Sequence, residues 1–417
     1  ANPEQFALTV TLLRIQLFSA ILFGLSGLIM GILNSHQVFL VPALTPSMYQ
    51  LGMIFGVLIL APKMGIYGLA WGVVIGAFFH LALQIPALLK LPRSNDFSRS
   101  NAKGLKPLLQ SSSYSLTLGF GDANVSEVIR LMGPRLLGVA VVQLNFWVNT
   151  WLASRMAAGS VAGIEYGFAL MLMAQVAIAQ SIATAAMPTF AAQYALGKLD
   201  DVRNSLAATI RGVLLLSIPA AMGLIILRVP LITLLYQRGE FDTRATEIVA
   251  WALLWYAVGL VGHSVMEILA RAFYALHDTK TPVLVGIGAM SLNVVFSITF
   301  AALFERIGWM PHGGLALANS LATALEMVLL MILMRKRLGG IDGANIARGF
   351  GQATLAALGM GTALFWWSQA QITSAAWVIA FGGIAIGGAV YLIAVWILKV
   401  PEIKQLQKLL QDRLFKS

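Results

Sequence analysis

GIYGLAWGVVIGAFFHLALQIPAL at residues 65–88 and GLALANSLATALEMVLLMILM at residues 314–334 decide the fold. Each run is long enough to cross a hydrocarbon layer, which takes about 20 mostly apolar residues, and each carries Gly-Leu-Ala near its start. Working outward, residues 12–90 read helix, His36 a few residues short of Pro42, helix, Gly68-Leu69-Ala70 and helix. Residues 248–336 read helix, His277 ahead of Pro282, helix, Gly314-Leu315-Ala316 and helix. The prolines are about 240 residues apart and the Gly-Leu-Ala triplets about 246, so two landmarks recur at nearly one spacing. An internal repeat in a membrane chain points to a transporter, because repeats that rock against each other open a central site to alternate sides.

Composition agrees. Hydrophobic residues make up 59% of the 417 and charged residues 11%, against roughly 45–50% and 25% in soluble domains. Such a chain must show its apolar surface to lipid. Cysteine is absent, which removes disulfides, thiolate metal sites and cysteine nucleophiles. The histidines, His36, His80, His263, His277 and His312, have no metal-ligand spacing and are expected at interfaces or along cavities. No GxxxxGK[ST] motif is present, so the chain encodes no nucleotide pump.

Hydropathy predicts an all-α integral membrane protein with eleven spans, near 12–33, 39–60, 66–89, 127–153, 161–187, 206–227, 245–274, 282–304, 313–334, 347–368 and 374–398. Lys and Arg crowd 90–126, 198–203, 271–280, 335–348 and the tail from Lys399, roughly threefold over the opposite loops, which places that side and the C-terminus in the cytoplasm. The net charge of +11 is then topology and contact with anionic membrane lipids, with no nucleic acid as partner. Eleven spans with the tail inside start the first helix outside without a signal peptide, and the first repeat lacks the three helices that precede the second. Three further helices are therefore expected upstream, fourteen in all, as two pseudo-symmetric six-helix lobes plus two C-terminal helices. The expected organisation is 1–90 as the remainder of the N-lobe, 91–126 as a cytoplasmic linker, 127–336 as the C-lobe, 337–398 as two extra helices and 399–417 as a cytoplasmic amphipathic tail.

FGLSGLIMGILNSHQVFLVPALTPSMYQLG (23–52), residues 65–88, YQRGEFD (236–242), RAFYALHDTKTPV (271–283) and GLALANSLA (314–322) resemble the MurJ/MviN family of lipid II flippases, in the multidrug/oligosaccharidyl-lipid/polysaccharide exporter superfamily. The resemblance covers essentially the whole chain. It implies that residues 1–90 are family helices 4–6 and residues 127–336 helices 7–12, with the two extra helices bordering a groove for a polyprenyl tail. It implies a function too: moving undecaprenyl-pyrophosphate-linked peptidoglycan precursor to the outer leaflet of the bacterial cytoplasmic membrane. The precursor, membrane lipids and other wall-synthesis proteins are the partners so implied. No cofactor is expected beyond a sodium or proton gradient or the membrane potential.

A pyrophosphate headgroup cannot enter hydrocarbon unaided, so intramembrane polar residues are the site candidates. The resemblance implies an arginine on the eighth family helix, where this chain reads Glu165-Tyr166-Gly167-Phe168-Ala169 and has Ala169 at the arginine's place. Candidates for the substrate cavity are Arg135, Gln143, Asn145, Asn149, Glu165, Gln175 and Gln180, with interhelical hydrogen bonding as the competing reading for the amides. Asn145 and Asn149 share a face that Gln143 does not. Glu165 is expected to pair with a cation such as Arg155, and Glu267 with Arg271 four residues on.

Asn149, Asn293 and Ser297 match a sodium site that the resemblance implies, but two of its carboxylates are neutral here. Glu326, midway along its span, is a candidate for proton or sodium coupling unless it is bonded to Asn319. Gly24, Gly27 and Gly31 on the first span, and Gly382, Gly383, Gly387 and Gly388 on the last, predict close helix contacts. Trp366, Trp367, Tyr391 and Trp396 predict interfacial belts. Paired acid-base groups and metal clusters are lacking, so no enzyme is expected. Two other functions compete: export of another lipid-linked saccharide or of a drug coupled to a cation, and a non-transporting scaffold for wall synthesis.

Overall fold

The computed structural model describes residues 3–36, 38–90, 123–371 and 375–402; most of the expected linker and tail lie outside them. Every regular element among the described residues is helical. Nine helices there are long and apolar enough to cross a membrane. Ala123–Ser154 and Gly343–Ala370 have the length but fall outside that set. In the first, Gln143, Asn145 and Asn149 interrupt the apolar run. The chain divides into two compact units, residues 1–119 and 120–417.

In the first unit, α1 (Pro3–Ser35) is followed by α2 (Leu40–Phe55), which runs through a π-turn at Gly56–Leu60 into α3 (Ala61–Met64), then α4 (Ile66–Ala82) and α5 (Ile85–Leu89). The middle position belongs to α4, which packs on both α1 and α2 while those two barely touch. Glycine makes the α2 contact possible. A Cβ on Gly72 would stand 2.7 Å from the Gly56 Cα, and Gly52 and Gly76 meet in the same way. The expected contacts at Gly24, Gly27 and Gly31 are not made, since no described neighbour lies within 4 Å of a Cβ placed there. A polar link joins α1 to α4: Gln84 Nε2 donates to Ser26 Oγ at 2.5 Å, and Ser26 Oγ lies 2.7 Å from His80 Nδ1.

The second unit contains α6 (Ala123–Ser154), α7 (Ser160–Gln175), a π-turn at Val176–Gln180, α8 (Ser181–Ala195), α9 (Leu199–Tyr236), α10 (Thr243–Ala275), α11 (Lys280–Arg306), α12 (His312–Leu338), α13 (Gly343–Ala370) and α14 (Ala376–Ile397). The arrangement of α10, α11 and α12 repeats that of α1, α2 and α4, with α12 packed on both partners and those two scarcely in contact. The Gly-Leu-Ala triplet has the same task in both units. Gly68 lies against the Leu60 backbone, and a Cβ on Gly314 would stand 2.6 Å from the Phe300 carbonyl carbon. Each glycine lets the third helix touch the second helix's main chain, which no side chain would permit.

The core of this unit is α10, whose most apolar window is 72% buried. Against it pack α7, α9 and α12, and α13 and α14 cover α9. Tyr391 is not in an interfacial belt: it is 7% exposed and its hydroxyl donates to the Leu215 carbonyl at 2.7 Å, fixing α14 to α9. Trp366 and Trp396 remain exposed, whereas Trp367 donates to the Ile379 carbonyl and packs on Gly382.

At one end of the unit, α10 stops at Ala275 and His277 takes a left-handed conformation, φ 59°. Asp278 then starts α11, accepting from the Thr281 amide at 3.0 Å and its hydroxyl at 2.8 Å. Arg337 pairs with Asp278 and donates to the Leu276 carbonyl at 3.1 Å, and Arg203 does the same for the Leu338 carbonyl at 2.5 Å. Arginine thus satisfies carbonyls left open at two helix C-termini. The Thr281 amide beside Asp278, and then the Thr281 hydroxyl and Arg337, hold its carboxyl below the usual carboxylate range against the opposing effect of burial.

Candidate functional site

Asn145 and Asn149, one turn apart on α6, face α11, and Gln143 points away and is exposed. Asn145 is 5% exposed and donates to the Met290 carbonyl and to Asn293 Oδ1, each at 3.0 Å. Asn149 donates to Asn293 Oδ1 at 3.1 Å and accepts from Ser297 Oγ at 2.8 Å. The Ser297 hydroxyl also lies 3.3 Å from Asn293 Oδ1. Hydrogen bonding between helices therefore accounts for these amides, with Asn293 and Ser297 both fully buried on α11.

The sodium donor set can be tested on this geometry. Asn293 Oδ1, the central oxygen, already faces the Nδ2 groups of two asparagines, and its own Nδ2 is buried without a partner. Hard cations need converging oxygens with negative charge, and here N–H donors converge and the trio holds no carboxylate. The residues do not fit sodium. No group of three or more His, Asp or Glu positioned for a metal occurs among the described residues.

Beside this network lies a chamber of about 40 Å³, walled by α6, α7, α10 and α12. Asn145, Asn149 and Thr150 form one side, Glu165 and Phe168 another, and Tyr256 and Asn319 close it. Phe168 packs edge-on against Tyr256 at 5.3 Å and against Phe146 at 5.8 Å. The volume holds a few waters; a glycosyl pyrophosphate would require the helices to separate.

Glu165 has no ion pair among the described residues. Arg155, its expected partner, instead lies over the Trp151 ring, 3.8 Å from the centroid. Ala169, one turn beyond Glu165 on α7, is exposed. Neither Gln175 nor Gln180 lines the chamber: they end α7 and the π-turn, the first buried and the second exposed. Arg135 belongs to α6, but its side chain lies outside the described residues.

No hydrogen bond joins Glu326 to Asn319, whose Oδ1 is engaged by His263 Nε2 at 3.0 Å. His263 is buried, as is His312, which contacts the Ile248 carbonyl at 2.9 Å, so both tie α12 to α10. Glu267 and Arg271 pair at 3.1 Å. Sequence reading missed Tyr256 and Phe168 as components of the site. Nothing in the sequence relates His263 to Asn319, 56 residues later; the packing of α12 on α10 does.

The profile of the family described as "Lipid II flippase MurJ" matches residues 1–384. The chain belongs to this family. Among MurJ relatives, the lipid II flippase of Burkholderia cenocepacia is 30% identical over 339 residues, 81% of this chain and 62% of that protein. The probable lipid II flippase of Vibrio cholerae is 31% identical over 309 residues, 74% and 54% of the two chains. This chain thus spans about 62% and 54% of those two MurJ relatives. A solved structure described as lipid II flippase MurJ in an inward closed conformation superposes with a TM-score of 0.77 at 24% identity, over 97% of this chain and 77% of its own. The MurJ fold is therefore shared.

Proposed function

We propose that this MurJ family member moves undecaprenyl-pyrophosphate-linked peptidoglycan precursor from the inner to the outer leaflet of the bacterial cytoplasmic membrane. The observation that carries the reading is the family match over residues 1–384. In this reading the protein is a multi-pass transporter with a cytoplasmic C-terminus and performs no covalent step. Its partners are the lipid precursor, the surrounding lipids and the wall-synthesis proteins that receive the product. The work is alternating access: the α6, α7, α10 and α12 walls part to admit a headgroup that the 40 Å³ chamber cannot hold, and an ion gradient or the membrane potential drives the cycle.

Cells depleted of their own lipid II flippase provide the test. Expression of the full-length protein is expected to restore outer-leaflet lipid II, read by accessibility of the precursor to an external modifying enzyme. Membrane insertion at normal levels without restoration would overturn the reading.

A further inference from the structure

Glu326 stands midway along α12, fourteen residues from His312 and twelve from Leu338, so about 20 Å of helix lies on either side at 1.5 Å per residue. It is 8% exposed. Its carboxylate borders a groove of about 310 Å³ between α11 and α12, whose other walls are apolar, among them Leu284, Val285, Gly288 and Leu292 of α11 and Leu325 and Leu329 of α12. Oε1 sits against Gly286, 3.3 Å from where a Cβ would be. No ion pair reaches the carboxylate among the described residues, and none of their hydrogen bonds involves it.

Among the described residues, the neighbouring helices supply no counter-charge. The α11 face of the groove is apolar throughout. On α10, where Gly259 packs on Ser320 and Gly262 on Ala324, the ionisable groups nearest in register are His263, engaged by Asn319, and Glu267, paired with Arg271. From α7, Glu165 faces the separate chamber, and from α6 the described polar groups near α12 are Asn145 and Asn149. An ionised carboxylate is disfavoured in such surroundings, where neither a counter-charge nor a hydrogen-bond donor meets it, and the neutral acid is the form they accommodate.

We propose that Glu326 is a proton-binding site: a neutral carboxylic acid at rest, open to an apolar phase through the α11–α12 groove and closed to bulk water. This goes beyond lipid carriage and does not depend on which lipid is moved. A carboxylic acid of this kind reacts with dicyclohexylcarbodiimide. The acid proton moves to a carbodiimide nitrogen, the carboxyl oxygen bonds to the central carbon, and the adduct rearranges to a stable N-acylurea.

The experiment treats full-length protein in liposomes with dicyclohexylcarbodiimide or with a water-soluble carbodiimide, and maps adducts by peptide mass spectrometry. The hydrophobic reagent is expected to label Glu326, less as pH rises, while the water-soluble one labels exposed Glu240 and Glu305 and spares Glu326. Glu326→Gln should lose that one adduct and keep the others. If the variant does not fold, the two reagents on the unaltered protein still decide. Equal labelling of Glu326 by both reagents, or none by the hydrophobic one, would overturn the proposal, and neither outcome bears on the lipid II assay.

Discussion

Asn149 on α6 donates its Nδ2 to Asn293 Oδ1 on α11 at 3.1 Å, and Asn145 adds a second donor to the same oxygen at 3.0 Å. Together with Ser297 they form a polar pin between two helices inside a membrane unit. Removing that acceptor takes one bond from each donor, leaving Asn145 the Met290 carbonyl, Asn149 the Asn145 carbonyl and Ser297 the Asn149 oxygen.

Asn293→Leu should therefore destabilise the protein by about 1–3 kcal/mol, whereas Asn293→Asp should be far milder. The aspartate keeps an oxygen among the donors that converge on Oδ1 and puts an acceptor in place of the Nδ2 that has no partner now. Thermal unfolding of the two variants in one detergent checks the order; equal losses would mean that the oxygen is not what matters.

Gly72→Val should cost about 1–3 kcal/mol by overpacking, because the obstacle 2.7 Å away is the Gly56 main chain, which cannot rotate aside. Gly24→Val, which meets no described neighbour, should stay within about 0.5 kcal/mol. The measurement is the same thermal midpoint, and similar effects at both sites would contradict the α2–α4 contact.

Asp278 makes stability depend on acid. Its folded carboxyl titrates below the ordinary value of about 3.9, held there first by the Thr281 amide. Its contribution is thus complete above the unfolded value and disappears as pH falls through the folded one. The stability gap between the native protein and Asp278→Asn should be widest at neutral pH and shrink below about pH 4. A gap that widened in acid would reverse the sign.

Ala169→Arg would place a cation one turn beyond Glu165 on an exposed face of α7. The pair should add about 0.2–0.5 kcal/mol, and Glu165→Gln in the same background should abolish that gain. A double-mutant cycle on unfolding midpoints measures it.

Much of the fold could be read from the sequence because lipid imposes long apolar runs, and because the Gly-Leu-Ala triplets mark the point where the third helix of each block meets the second. Pairing within the site was less legible. Asn145 and Asn149 were identifiable as one face from their spacing, yet nothing local says that Asn293 Oδ1 is their shared acceptor. Arg155 turned to Trp151 instead of Glu165, since an aromatic face four residues back is nearer than a carboxylate on the next helix. Gly382, Gly383 and Gly387 do meet Trp367, Leu227 and Leu364, but the glycine contacts of the first span were misplaced for a related reason. Gly24, Gly27 and Gly31 have a packing motif without a partner among the described residues, whereas Gly52 and Gly56 have their partners across a turn in Gly76 and Gly72.

The π-turns at Gly56–Leu60 and Val176–Gln180 act as phase slips. Past each one, a helical wheel drawn at 100° per residue is out of step by about one residue, so the positions it assigns to one stripe belong to two. Aligning this chain with a straight-helix relative, or scanning it with regularly spaced cysteines, will bring wrong neighbours together beyond Leu60 and Gln180 unless one residue is skipped there.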